Sequence, residues 1–240
     1  MSFGDALDIL YEDNHVVAVN KPCGWPSAHF SGEEETMDRV VKEYLKEKYH
    51  KAGNVFLGIV HRLDKPVSGI LLFARNSKAA ARLSAQFRDS SIEKTYWAVV
   101  DDRLAGKPLG QRLDSSGTFE DWLRKDPVRG GIRVVEPHSL LAKQALLHYT
   151  TRAEHDGLTL LEIRPQTGRT HQLRVQLAAR GRPIYGDSKY GSGFNFGPGI
   201  GLHARSLTFL HPTRYEPVTL TAEVPRDWRG RFAHLLPANS

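Results

Sequence analysis

Residues 56–74 read FLGIVHRLDKPVSGILLFA. The ends, FLGIV (56–60) and GILLFA (69–74), are apolar runs of strand length, while the interior is polar and interrupted by Pro66. A single carboxylate, Asp64, therefore sits among His61, Arg62 and Lys65 between two core strands. Taking an aspartate out of water there costs on the order of several kcal/mol unless it is paired and hydrogen-bonded. Two readings follow. Asp64 caps a turn or forms a structural ion pair, or it is a reactive carboxylate kept ionised by a cation. Arg62 and Lys65 are local candidates for that cation. A distant arginine serves better, because a bidentate fork fixes orientation as well as charge. THQLRVQLAA (170–179) offers Arg174, set among Leu173, Val175 and Leu177.

Working outward, DILYED and HVVAVN (residues 8 to 20) predict two short strands separated by a turn. TMDRVVKEYLKEKYH places Met37, Val40, Val41, Tyr44 and Leu45 at helical spacing, with Thr36 as cap. SKAAARLSAQFRD predicts a second helix, capped by Ser77, with Leu83 and Phe87 on its buried face. IEKTYWAVVDD alternates, with Lys94, Tyr96 and Ala98 on one face and Thr95, Trp97 and Val99 on the other. Residues 103–140 have weak periodicity and predict short strands and loops. LLHYTTRAE and GLTLLEIRP predict a hairpin, THQLRVQLAARG a short helix ended by Gly181, and LHARSLTFLHP and PVTLTAEVP closing strands. The expectation is an α+β protein with a mixed, largely antiparallel sheet, as a single domain over residues 1–240 with no clear linker.

The composition, 40% apolar and 25% charged, is that of an ordinary globular protein. The opening MSFGDALDILYEDNHVV lacks a basic segment leading into a long apolar one, and the longest apolar runs are too short to cross a bilayer. The one cysteine, Cys23, fits a reducing compartment, so a cytoplasmic protein with no membrane partner is expected. Charge is placed unevenly. Arg62, Lys65, Arg75, Lys78, Arg82, Arg88 and Lys94 outnumber Asp64, Asp89 and Glu93 over residues 61–94, and Pro165–Pro183 holds four arginines and no acid. Such clustering fits either a solvated surface or a polyanionic partner, most simply nucleic acid.

Several chemistries find no support. No two of the eleven histidines lie three or four apart on a helix, and HExxH, GxGxxG, a P-loop and GxSxG are all missing. No metal and no cofactor is expected.

Taken in order, ILYEDNHVVAVNKPCG, HRLDKPVSGILLFA, IEKTYWAVV, LLEIRPQTGRTHQLRVQLAARGRPIYGDSKYG and LHARSLTFLHP resemble the RluA-type family of RNA pseudouridine synthases. The resemblance runs from about Ile9 to Pro225, and GRTHQLR with a downstream GDxxYG carries most of its specificity. It implies a pseudouridine synthase fold, a sheet in two halves with flanking helices and a central cleft. It also implies isomerisation of specific uridines in structured RNA, tRNA or rRNA, by a monomer that flips the base out and needs no cofactor. By resemblance Asp64 is the catalytic aspartate, Arg174 its ion-pair partner, and Tyr96 the aromatic that stacks on the target base. Arg62 enters the RNA where that base leaves it. Phosphate contacts fall to Lys65, Arg82, Arg169 and Arg180, and His171 either touches RNA or orients its loop.

The sequence departs from the family pattern at three points. Pro66 and Val67 stand where Asp-Thr is common after HRLDK, removing a backbone donor and a hydroxyl, and Gln176 stands where histidine is frequent. No separate N-terminal RNA-binding domain is expected before Ile9, which leaves target choice to the catalytic domain or to residues 103–140. Two competing readings are a non-catalytic RNA-binding relative and an aspartate-dependent glycosidase. The first has no use for a buried carboxylate facing an anionic ligand. The second needs another catalytic carboxylate, and only Asp187, a turn residue, is on offer.

Overall fold

The computed structural model of the chain describes residues 7–28, 35–102, 113–128 and 130–238. In chain order the elements are β1 (Ile9–Glu12), β2 (Val16–Lys21), α1 (Met37–Lys48), β3 (Gly58–Ile59), β4 (Ser68–Ala74), α2 (Ser77–Arg88) and β5 (Glu93–Asp101). Then come β6 (Ser116–Lys125), β7 (Ile132–Val135), β8 (Lys143–His155), β9 (Leu158–Pro165), α3 (Gln172–Ala179), a 3-10 turn (Ser188–Tyr190), β10 (Leu202–Leu210), β11 (Pro217–Thr221) and α4 (Arg226–Arg231). The chain divides into two compact units, residues 1–94 with 204–224 and residues 95–203 with 225–240. It changes unit inside β5 and again inside β10. The single domain expected over 1–240 thus has two cores.

The first unit is built on the strand order β1-β2-β4-β10-β11, with β3 on the other side of β4. GILLFA is apolar throughout because both faces of its sheet are covered. Ile70, Leu72 and Ala74 pack with Val16, Ala18, Phe209 and, from α2, Ala79 and Leu83. Leu71 and Phe73 pack on the opposite face with Val17, Val19 and, from α1, Met37, Val41 and Leu45. Of the predicted helical stripes, Met37, Val40, Val41, Leu45 and Leu83 are buried, and Tyr44 and Phe87 are half-buried. The cap of α2 is one residue earlier than expected: the Asn76 side chain accepts the Ala79 N–H, so Ser77 is the first helical residue.

The second unit follows the order β5-β9-β8-β6-β7. Every strand pairing described within it is antiparallel. β8 and β9 form the expected hairpin, β8 being longer than LLHYTTRAE and carrying a register shift between Thr151 and Ala153. Residues 103–140 hold more regular structure than their periodicity predicts: β6 is a ten-residue strand paired to both β7 and β8. Residues 103–112 and Arg129 of that segment lie outside the described residues. α3 packs Val175 against Leu123 and Ala145, with Tyr190 at the margin. Gly181, at a left-handed φ of 73°, follows its end as expected. Among the described residues no helix is long and apolar enough to cross a membrane.

Candidate active site

The segment between β3 and β4 is held by backbone-directed polar contacts. The Ser27 hydroxyl donates to the Leu63 carbonyl (2.7 Å) and accepts the Leu63 N–H (2.9 Å), bridging both polar groups of a buried residue. The Val67 N–H returns to the Asp64 carbonyl at 3.0 Å, which closes a turn around Lys65 and Pro66. Pro66 therefore occupies a turn position where its missing donor costs nothing. The Gly24 N–H reaches the Lys65 carbonyl at 2.8 Å, tying NKPCG to HRLDK. Asp64 is half-buried and Arg62 and Lys65 are exposed.

Beneath this turn lies a residue that the sequence reading passed over. Lys21, at the end of β2, is fully buried. Its ammonium donates to the carbonyls of Trp25 (2.8 Å), Pro22 (3.0 Å) and Lys65 (3.2 Å), one acceptor for each of its protons. Burial pushes the group down to about 7, while the charges of Cys23 and Asp64 favour the ammonium. A cation is thereby placed under the Asp64 turn without leaving its own strand. The signal in the sequence was a lysine ending the apolar run VVAVN just before Pro-Cys-Gly.

His61 has a structural role. Its Nε2 accepts the Leu72 N–H at 2.9 Å, and its ring stacks on Phe87 with centroids 4.5 Å apart. Burial, helped by the nearby Lys94 charge, lowers it to about 3. It is neutral, as an accepting nitrogen requires.

In the second unit, α3 begins from His171, whose φ of 53° is left-handed. Arg174, one turn in, is buried and meets Asp187 bidentately, Nε to Oδ2 at 2.7 Å and Nη2 to Oδ1 at 2.9 Å. Asp187, read from sequence as a turn residue, is buried and opens the 3-10 turn. Gly186 must precede it, because a Cβ there would lie 2.6 Å from that of Phe196. The turn's last residue, Tyr190, lies beneath the guanidinium with its centroid 5.1 Å from Cζ, and its hydroxyl is 2.6 Å from His171 Nδ1. Arg174 and His171 are thus brought together around Tyr190. Tyr96 is half-buried on β5, opposite Ile163 of β9.

The remaining predicted cations are less uniform. Arg82 donates to the Pro212 carbonyl (2.6 Å) and lies over the exposed Tyr215 ring. Arg169 is exposed and donates from Nε to the Gln144 carbonyl (3.0 Å). Arg180 is engaged inside the unit: it meets Asp121 at 2.8 Å and covers the Phe119 ring at 3.8 Å. Gln176 donates to the same Asp121 carboxylate at 2.8 Å, so the position where histidine was the expected residue has become part of a core polar cluster. Among the described residues no group of three or more His, Cys, Asp or Glu side chains is arranged to hold a metal ion.

The family described as RNA pseudouridylate synthase matches residues 15–179 of the chain. Ribosomal large subunit pseudouridine synthase D of Xylella fastidiosa is 35% identical over 235 residues, covering 92% of this chain and 67% of that protein. tRNA pseudouridine synthase C of Haemophilus ducreyi is 33% identical over 242 residues, 94% of each chain. Among solved structures, human RNA pseudouridylate synthase domain containing 4 aligns over 97% of this chain and 95% of its own with a TM-score of 0.76 at 25% identity. The fold agrees, the relatives agree, and the turn bearing Asp64 lies inside the matched span: this chain belongs to the RNA pseudouridylate synthase family.

Proposed function

We propose that this enzyme converts uridine to pseudouridine in structured RNA, tRNA or rRNA, with Asp64 as the reacting group. The similar proteins act, by their names, on large-subunit ribosomal RNA in one case and on tRNA in the other. The reaction breaks N1–C1′, turns the uracil and joins C5 to C1′; the C5 proton leaves and N1 acquires one. The sum is redox-neutral and needs no energy-rich co-substrate. What remains for the protein is to expose the ribose and to supply a group that starts the cleavage. A carboxylate does this either as nucleophile at C1′ or as base at the sugar.

The observation that carries this reading is the braced turn. Leu63 is bridged by Ser27, and Lys65 is held by Gly24 and Lys21, so the residue between them has little freedom to relax. Rigid support of a half-buried carboxylate is what a reacting group needs, and a mere surface aspartate does not. In this reading Arg174 is the cation that keeps Asp64 ionised. Tyr96 stacks on the extruded base, and Arg62 fills the vacancy in the RNA stack. Arg62, Lys65 and Arg169, exposed, are the better phosphate contacts. Arg82 and Arg180 are half-buried and contribute less.

The test compares wild type with Asp64→Asn and Asp64→Ala on total RNA from cells lacking the protein, reading pseudouridine positions and RNA affinity. The wild type should restore specific pseudouridines, whose positions also decide between tRNA and rRNA. Both variants should form none while binding RNA within a few-fold of wild type. Turnover by either variant would refute the assignment of Asp64.

A further inference from the structure

We propose that Tyr190 is a positioning residue: it holds Arg174 and His171 in the orientation that isomerisation requires, and is itself set in place by β7. This rests on the catalytic reading of Arg174 given above. The bidentate contact with Asp187 fixes one edge of the guanidinium. The Tyr190 ring, 5.1 Å from Cζ, supports its face. Both constraints come from one turn. The Tyr190 N–H bonds to the Asp187 carbonyl at 3.1 Å, so carboxylate and ring move as a unit.

The hydroxyl has a separate task. It accepts the Ile132 N–H at 3.1 Å, at the first residue of β7. The same oxygen lies 2.6 Å from His171 Nδ1, so one hydroxyl joins the start of β7 to the residue that precedes α3. The left-handed backbone of His171, immediately before the helix bearing Arg174, is the strained point that such a bond is suited to hold. The β6–β7 hairpin fits closely over the same turn: a Cβ on Gly131 would lie 2.9 Å from Lys189 Cε. A strand from the 103–140 segment therefore reaches the guanidinium through a single side chain.

Tyr190→Phe removes the hydroxyl and keeps the ring; Tyr190→Leu removes both. Each is compared with wild type on total RNA from cells lacking the protein, with enzyme in excess, reading the rate of pseudouridine formation at saturation, RNA affinity and melting temperature. The expected result is a saturating rate lowered about 10-fold in Tyr190→Phe and on the order of 100-fold in Tyr190→Leu, the scale that misorientation of a reacting group produces. RNA affinity should stay within about threefold and Tyr190→Phe should melt close to wild type. Wild-type rates in Tyr190→Phe, or a defect confined to affinity, would overturn the proposal. If Tyr190→Leu unfolds, Tyr190→Phe decides alone. Absence of pseudouridine with the wild type itself would instead refute the function proposed above.

Discussion

Replacing Asp187 by alanine should destabilise the second unit strongly, and the structure sets the size. Arg174 and Asp187 have side chains 6% and 1% exposed, and two charge-assisted hydrogen bonds join them. At about 1.5–3 kcal/mol for each such bond the loss is roughly 3–6 kcal/mol, in line with about 3–5 kcal/mol for stranding one member of a buried pair. In a chain of this length each kcal/mol moves the melting point by about 2–4 °C, so a fall of roughly 6–24 °C is expected. Calorimetry and urea unfolding read this directly. Arg174→Met with Asp187→Leu removes both charges, fills similar volume and should recover most of the stability. It should recover none of the pseudouridine formation, since the guanidinium is gone. A loss below about 1 kcal/mol in Asp187→Ala, the range of exposed ion pairs, would refute the view that this pair is desolvated. Activity in the double variant would refute the catalytic place given to Arg174.

Two further outcomes concern the first unit. Lys21→Met should weaken pseudouridine formation by loosening the Lys65 carbonyl beside Asp64, and it should change how stability depends on pH. Burial holds Lys21 near 7 in the folded chain against 10.5 unfolded. The unfolded chain therefore binds more protons between those values, and wild type should gain on Lys21→Met as pH rises from 7 toward 10.5, on the order of 5 kcal/mol over the whole window. Identical pH slopes for the two proteins there would contradict the lowering of Lys21 by burial. Asp13 is also lowered, but because its charged form is favoured. Burial raises it, but bonds from the His15 and Val16 amides, His211 and Tyr11 outweigh that and bring it to about 2. Its contribution is complete above the ordinary 3.8 and disappears as pH falls toward 2, about 2 kcal/mol in all. Asp13→Asn should flatten the acid limb of the unfolding curve, and an unaltered limb between pH 4 and 2 would count against those bonds.

Much of the fold was legible because its periodicities are strong. The stripes of α1 and α2 and the unbroken apolar run of β4 come from a sheet covered on both faces, and that coverage writes itself into every residue of the strand. β6 was less legible. It holds Asp121, whose partners meet it only in the folded state: Gln176 of α3 and Arg180 just after it, far along the chain. No local pattern can announce such a pairing. The same limit applies at the site. Asp64 and Arg174 stood out because charges among apolar neighbours are anomalous. Lys21, Asp187 and Tyr190 did not, because each sits beside a turn where polar residues are ordinary, and only tertiary structure shows that they are buried or shared. The α2 cap slipped by one residue because Asn76 and Ser77 are both good capping types, and geometry chose between them.

Gly69 gives the HRLDKPVSG segment an uneven tolerance to change. Its φ is 111°, and a Cβ there would lie 2.3 Å from the Ala204 carbonyl oxygen on β10. Lys65 and Pro66 have the turn to themselves, whereas Val67 and Ser68 are buried. Five residues beyond Asp64 even one methyl group would wedge two neighbouring backbones apart. A saturation library across 65–69 should therefore yield a diverse set of survivors at its start and a single one at its end. Any redesign that retargets this enzyme has room beside the carboxylate and none where the loop rejoins the sheet.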